Sequence, residues 1–254
     1  MNSDASGQSW FLRPFWNRTL RAPWIVSLAV LAVLAAARFY AVFGPPWASV
    51  LFPLHCLAMW ALPFILLTPR GCGQIGLPGE RNTASALVLS SLAGAACGLA
   101  IFAIGMALFG DSPDNWCISI RNSFQIDQLR ASAPRGALFA VVALPAIIFT
   151  PVGEEILFRG LIQEAFTLRW NAVFATVVNS VAFGLIHLHV HGLWHDAAGF
   201  HLRLVSAALM VVLLAGVGVV FTICRIRTGS LVAAIAAHAA CNLAMIAAVF
   251  FHYV

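Results

Sequence analysis

The sequence predicts an all-α, polytopic membrane helical bundle of about seven transmembrane helices. Three observations carry this. The 254 residues are 61% hydrophobic and only 9% charged, whereas a soluble domain carries about 25% charged residues. Mean hydropathy is +0.92. The apolar runs are continuous rather than alternating, which excludes a transmembrane β-barrel.

Each element follows in order. Residues 1–22 are polar and basic, with Arg13, Arg18 and Arg21 interleaved with Trp10, Phe11, Phe15 and Trp16. This reads as a basic interfacial segment. The next run is long enough to span and lacks a small-residue cleavage site, so it is expected to be a helix rather than a signal peptide. About 20 apolar residues cross a bilayer. The expected spans are 23–43, 47–67, 84–109, 135–168 (overlong), 171–190, 204–224 and 230–251. Between the third and fourth, residues 110–134 form the longest loop. It opens on Asp111-Ser112-Pro113-Asp114, a turn with the composition of a helix cap, and part of it is expected to be a surface helix. No internal repeat or low-complexity tract breaks 23–254, which reads as one membrane domain.

Charge sets orientation. All 14 cationic residues are arginine, and the net charge is +5. The arginines fall at helix ends, which points to topology rather than nucleic acid. Arg70, Arg81, Arg169, Arg225 and Arg227 share one side with the amino terminus. Asp111, Asp114, Asp127 and Asp196 take the other. The amino terminus is therefore expected in the cytoplasm, and the arginine-only composition leans toward a bacterial inner membrane. The six cysteines give no framework: four lie in apolar runs, Cys72 and Cys117 fall on opposite sides, and no CxxC occurs.

The chemistry sits in a glutamate pair inside an apolar stretch, Gly153-Glu154-Glu155-Ile156-Leu157-Phe158-Arg159-Gly160. Ionisable groups in hydrocarbon are costly and mark function or pairing. Glu155 and Arg159 are four apart and can pair on one helix face. Glu154 points about 100° away, toward a cavity. Two later segments, Phe183 to His187 and His238 to Asn242, supply further polar groups. At about 1.5 Å per residue from the inner interface, Glu154 lies roughly 22 Å deep, His187 roughly 24 Å, Asn242 roughly 18–20 Å and His238 roughly 12–14 Å. The depths overlap, provided the long helix projects beyond the bilayer or bends at Pro145 or Pro151. Gly153 and Gly160 permit close helix approach.

Such a set can hydrolyse a peptide bond. Glu154 would act as general base, His187 would share and orient the water, and His238 and Asn242 would donate to the oxyanion. Cys241 points away from the His238–Asn242 face. A zinc site built from His187, His189, His191 and His195 with Glu154 or His238 is the sharper rival. Against it, HExxH is absent, and the last three histidines run toward a polar loop where they would sit in water. No cofactor is expected. A transporter using the same buried groups, and a non-catalytic partner, are the other classes to separate. The internal repeat expected of a transporter is missing.

At these residues the chain resembles the CPBP family of intramembrane proteases, which includes CAAX prenyl endopeptidases and bacteriocin-processing relatives. The family pattern EExxxR, FxxxH and HxxxN is met by Glu154, Glu155, Arg159, Phe183, His187, His238 and Asn242, over roughly 135–250. The resemblance implies a glutamate-dependent endopeptidase that needs no metal. It assigns Glu154 and His187 to the water, His238 and Asn242 to the oxyanion hole, Glu155 to Arg159, and Phe183 to packing beside the site. The implied partners are the lipid bilayer and a membrane-anchored protein or peptide: a prenylated CAAX protein, a leader peptide or a carboxyl-terminal sorting anchor. Oligomeric state is not given by the sequence. Some relatives act as chaperones or immunity factors, so a non-catalytic immunity or scaffold role is the alternative.

Overall fold

The computed structural model describes residues 10–20, 22–77, 83–124 and 134–254. Residues 1–9, Arg21, Arg81 and Asp127, used above for the amino-terminal segment and for topology, lie outside them. Seven helical segments are long and apolar enough to span: Pro23–Phe43, Pro46–Leu66, Ala84–Phe109, Arg135–Arg169, Ala172–His189, Leu204–Thr228 and Leu231–Tyr253. Their outward faces carry Val33, Phe64, Leu89, Val173 and Val212, all well exposed. That is the surface of an integral multi-pass membrane protein, in which lipid covers what a soluble fold would bury.

The helices are α1 (Pro14–Leu20), α2 (Pro23–Phe43), α3 (Leu51–Leu66), α4 (Pro69–Gln74), α5 (Ala84–Phe109), α6 (Trp116–Ser123), α7 (Arg135–Glu155), α8 (Gln163–Arg169), α9 (Ala172–Ile186), α10 (Leu204–Thr228) and α11 (Leu231–Tyr253). Local chemistry sets their ends. Proline occupies the first turn of α2 and α4, where its missing N–H costs nothing. Thr83, Asn115, Asn171 and Ser230 cap α5, α6, α9 and α11 through side-chain oxygens. Gly229, at φ +66°, stops α10 in the left-handed conformation.

Helix α11 is the hub that positions the site. It lies against α5 so closely that a Cβ at Gly94 or Gly98 would run into the backbone carbonyls of Ala237 and Cys241. Small residues permit such approach in membranes, where dispersion and backbone contact replace the hydrophobic drive. On other sides α11 meets α7 and α10. Helix α3 packs on α7 at Gly153, where a Cβ would sit 3.0 Å from Met59.

The structure adds to the sequence reading at three places and corrects it at a fourth, His191. Residues 10–20 are stitched to the end of α3. Phe11 and Leu12 are fully buried. Leu12 bridges Leu67, and Arg13 Nε and Trp16 Nε1 donate to the carbonyls of Leu67 and Ile65. The loop helix α6 is anchored by one face, with Asn122 and Ser123 exposed on the other: Trp116 and Cys117 are fully buried, and Trp116 Nε1 donates to Ile101 O at 3.0 Å. Asn115, not the preceding acidic turn, caps it. Between α9 and α10 an antiparallel hairpin, β1 (Leu193–Asp196) with β2 (Gly199–Leu202), joins an otherwise helical fold. Finally, His191 does not sit in water. It is 1% exposed and held between Ser119 Oγ at 2.8 Å and Ser206 Oγ at 2.9 Å.

Candidate active site

The site begins where α7 stops being an α-helix. Glu154 and Glu155 are its last two residues, and Ile156–Ile162 continue as a π-helix before α8 resumes. An inserted π turn rotates the following side chains relative to an α-helical ladder and is frequent at functional sites. Arg159 lies within it and still reaches back: Nη1 donates to Glu155 Oε1 at 2.9 Å, with neither side chain exposed.

Around Arg159 the walls are aromatic. Its guanidinium carbon lies 4.3 Å from the Phe183 ring centroid and 5.2 Å from that of Phe221. Cation–π contact thus stands in for water on Nε and Nη2, which have no hydrogen-bond partner among the described residues. Gly218 leaves the room: a Cβ there would sit 3.0 Å from Arg159 Nη2. Phe183 also touches both histidines, at 4.7 Å from the His187 ring and 5.6 Å from the His238 ring, and Phe221 stacks on His238 at 4.9 Å.

The two imidazoles have defined orientations. His187 ends α9, and its Nδ1 lies 2.7 Å from Phe183 O, an acceptor; Nδ1 is therefore the donor, and neutral His187 presents Nε2 as a free lone pair. That Nε2 is 3.8 Å from Glu154 Oε2. His238 Nδ1 is 2.7 Å from Glu155 Oε1 and its Nε2 is 3.9 Å from Glu154 Oε2. Among the described residues none donates a hydrogen bond to Glu154 Oε2, although the residue is 2% exposed. One carboxylate oxygen thus faces two imidazole nitrogens, each just beyond direct hydrogen-bond reach. That spacing suits one bridging water.

Six of the seven residues nominated by sequence therefore meet in one cluster. Asn242 stands apart. It lies one turn beyond His238 on α11, and its Nδ2 donates to Ala146 O of α7 at 2.9 Å. One amide hydrogen is thereby used, and the other is free.

Sequence reasoning missed the partner of Glu154 itself. Arg38, on α2, donates from Nη2 to Glu154 Oε1 at 2.6 Å, and the pair is almost fully buried. Among the 14 arginines, Arg38 is not one that the sequence reading names. The available signal was its isolation, as the one charged residue among 23–43. With it the charges balance: Arg38 against Glu154, Arg159 against Glu155.

The histidine cluster does not converge. His187 and His189 each use Nδ1 on a backbone carbonyl, and His191 uses both nitrogens on serines. The chain turns into a 3₁₀ segment at His187–His189, and although His191 N still donates to His187 O at 3.3 Å, the His191 ring is taken up by the two serines. Among the described residues no group of three or more His, Cys, Asp or Glu is arranged to hold a metal ion.

No curated protein matches the chain, and no solved structure does. Residues 136–244, from the start of α7 into α11, match the family model described as type II CAAX prenyl endopeptidase Rce1-like, a domain match that agrees with the CPBP resemblance of the motifs.

Proposed function

We propose that this protein is an intramembrane endopeptidase that hydrolyses a peptide bond of a membrane-associated protein or peptide with water activated by Glu154. The observation that carries the reading is the unpaired Oε2 of Glu154, facing Nε2 of both His187 and His238 inside a cluster sealed by Phe183 and Phe221.

A water between Oε2 and His187 Nε2 would give one hydrogen bond to each. Glu154 takes the proton as the oxygen attacks the carbonyl carbon. His187, fixed by Phe183 O, sets the direction of attack. The tetrahedral oxyanion then needs donors. His238 Nδ1 is committed to Glu155, so its Nε2 carries a hydrogen only in the imidazolium form, which the Glu155 carboxylate stabilises. The free hydrogen of Asn242 supplies the second donor after a side-chain swing. Protonated Glu154 returns its proton to the departing amine.

The substrate class proposed is a membrane-anchored chain, prenylated or with a transmembrane segment. The balance of Arg70, Arg169, Arg225 and Arg227 against Asp111, Asp114 and Asp196 supports a cytoplasmic amino terminus.

The test compares protein termini in membranes of cells expressing wild type or Glu154→Gln at equal levels. New termini present only with wild type are expected. Identical termini, with both proteins folded, would turn the reading to a non-catalytic immunity or scaffold role.

A further inference from the structure

The matched domain begins at residue 136, yet the shortest contact to Glu154 comes from outside it. We propose that Arg38 of α2 is a positioning residue of the reaction: it fixes Oε1 of Glu154 and balances its charge, so that Oε2 alone is presented to the water. The inference rests on Glu154 being the base.

Geometry supports this division of labour. Glu154 has two oxygens, and Arg38 Nη2 occupies one at 2.6 Å. The carboxylate plane is thereby set, and the second oxygen falls between the imidazoles at 3.8 and 3.9 Å. Arg38 is itself held. It lies on the inward stripe of α2 with Leu34 and Ala41, and its guanidinium is 5.4 Å from the Phe52 ring centroid. By helix rise it sits about 22 Å from the start of α2, the depth reached independently for Glu154.

Energetics argue against a mere clamp. Two buried charges are no better than well-packed apolar residues for joining helices, and elsewhere α2 meets its neighbours through aromatic pairs, Trp24 with Trp170 and Phe39 with Phe200. The groups around Glu154 include Arg38 on α2, His55 and Cys56 on α3, Glu155 beside it, Arg159 in the π segment, His187 and His189 just past α9, and His238 on α11. Arg159 is already committed to Glu155, so Arg38 alone answers Glu154. A carboxylate buried without a counter-charge takes up a proton instead, and a protonated carboxyl is no base.

The experiment uses wild type, R38M, R38K and E154Q in liposomes, with an internally quenched prenylated CaaX peptide as probe. Infrared difference spectra against E154Q isolate the Glu154 carboxyl. For R38M the expected results are a shift from the carboxylate to the protonated-carboxyl stretch, and a fall in kcat of about 100-fold with KM unchanged. In R38K the carboxylate band should stay while kcat falls, because a point ammonium of shorter reach, without the planar fork of a guanidinium, cannot hold Oε1 in the same plane. An unshifted band in folded R38M, with kcat within about threefold of wild type in both variants, overturns the inference. If the band shifts but wild type shows no Glu154-dependent cleavage, the protease reading has failed and takes the catalytic place of Arg38 with it. The band shift distinguishes that failure from an idle Arg38.

Discussion

His238 Nδ1 lies 2.7 Å from Glu155 Oε1, the same oxygen that accepts Arg159 Nη1 at 2.9 Å. The second glutamate therefore does more than neutralise an arginine on its own helix. It joins α7 to α11, and it fixes which nitrogen of His238 turns toward Glu154. Clamp and orienting group are one carboxylate.

The two roles separate in a double-mutant cycle. E155Q leaves Arg159 buried beside a neutral amide, and breaking a buried pair costs about 3–5 kcal/mol. R159M leaves Glu155 with only His238. Each single variant should lower the thermal unfolding midpoint in detergent. The double variant E155Q/R159M removes both charges and should recover much of that stability while cleavage stays low, since His238 has lost its anionic partner. Recovery of activity together with stability would reduce Glu155 to a clamp.

Helix approach is the second testable dependence. Gly94 and Gly98 admit the Ala237 and Cys241 carbonyls, whereas nothing lies within 4 Å of a Cβ built on Gly216. G94A and G98A should each destabilise by about 1–3 kcal/mol, as overpacking does. Both should cut cleavage, because the displaced turn of α11 carries His238. G216A should match wild type in unfolding midpoint and turnover. Equal behaviour of all three would mean that α11 is not fixed by α5.

Much of this was legible because period and composition are local properties. Seven spans could be read from length and hydropathy, and their ends from Asn171, Ser230, Gly229 and Pro23. The glutamates and histidines stood out because charge is rare in hydrocarbon. Arg38 carries the same signal, as the one charge among 23–43, but composition alone does not say which way it faces. Only the packing of α2 on α7 shows that it turns inward. The π turn was illegible for another reason: Ile156–Ile162 has an ordinary helical composition, and its register is set by where Arg159 and Gln163 find partners. Gln163 meets Asn179 of α9, whose Nδ2 donates to its Oε1. His191 misled because a histidine in a polar loop is usually solvated, and Ser119 and Ser206 are distant in sequence.

Metal dependence gives a third prediction. A dication beside Glu154 would compete with Arg38, which already offsets that carboxylate at 2.6 Å. Purified protein treated with 1,10-phenanthroline or EDTA is expected to cleave at the untreated rate. Loss of activity restored by added zinc would revive the zinc-dependent reading, with His187, His238 and Glu154 as the ligands to examine.

The fourth prediction concerns acid. Burial holds the His191 imidazole well below its ordinary value of 6.5, at about 4, with Arg203 adding to the effect and Asp114 opposing it. A neutral ring suits its place: one nitrogen meets Ser119 of α6 and the other Ser206 of α10, so it ties the loop helix to the bundle. The unfolded chain binds the proton more readily than the folded one. The stability that His191 contributes is therefore complete above pH 6.5, declines as pH falls below that, and is gone near pH 4. Thermal unfolding followed across that window should show a midpoint falling with acid in wild type and a shallower fall in H191Q, whose amide can still bond a serine but does not titrate. Parallel slopes would mean that the tie between α6 and α10 does not depend on a neutral His191.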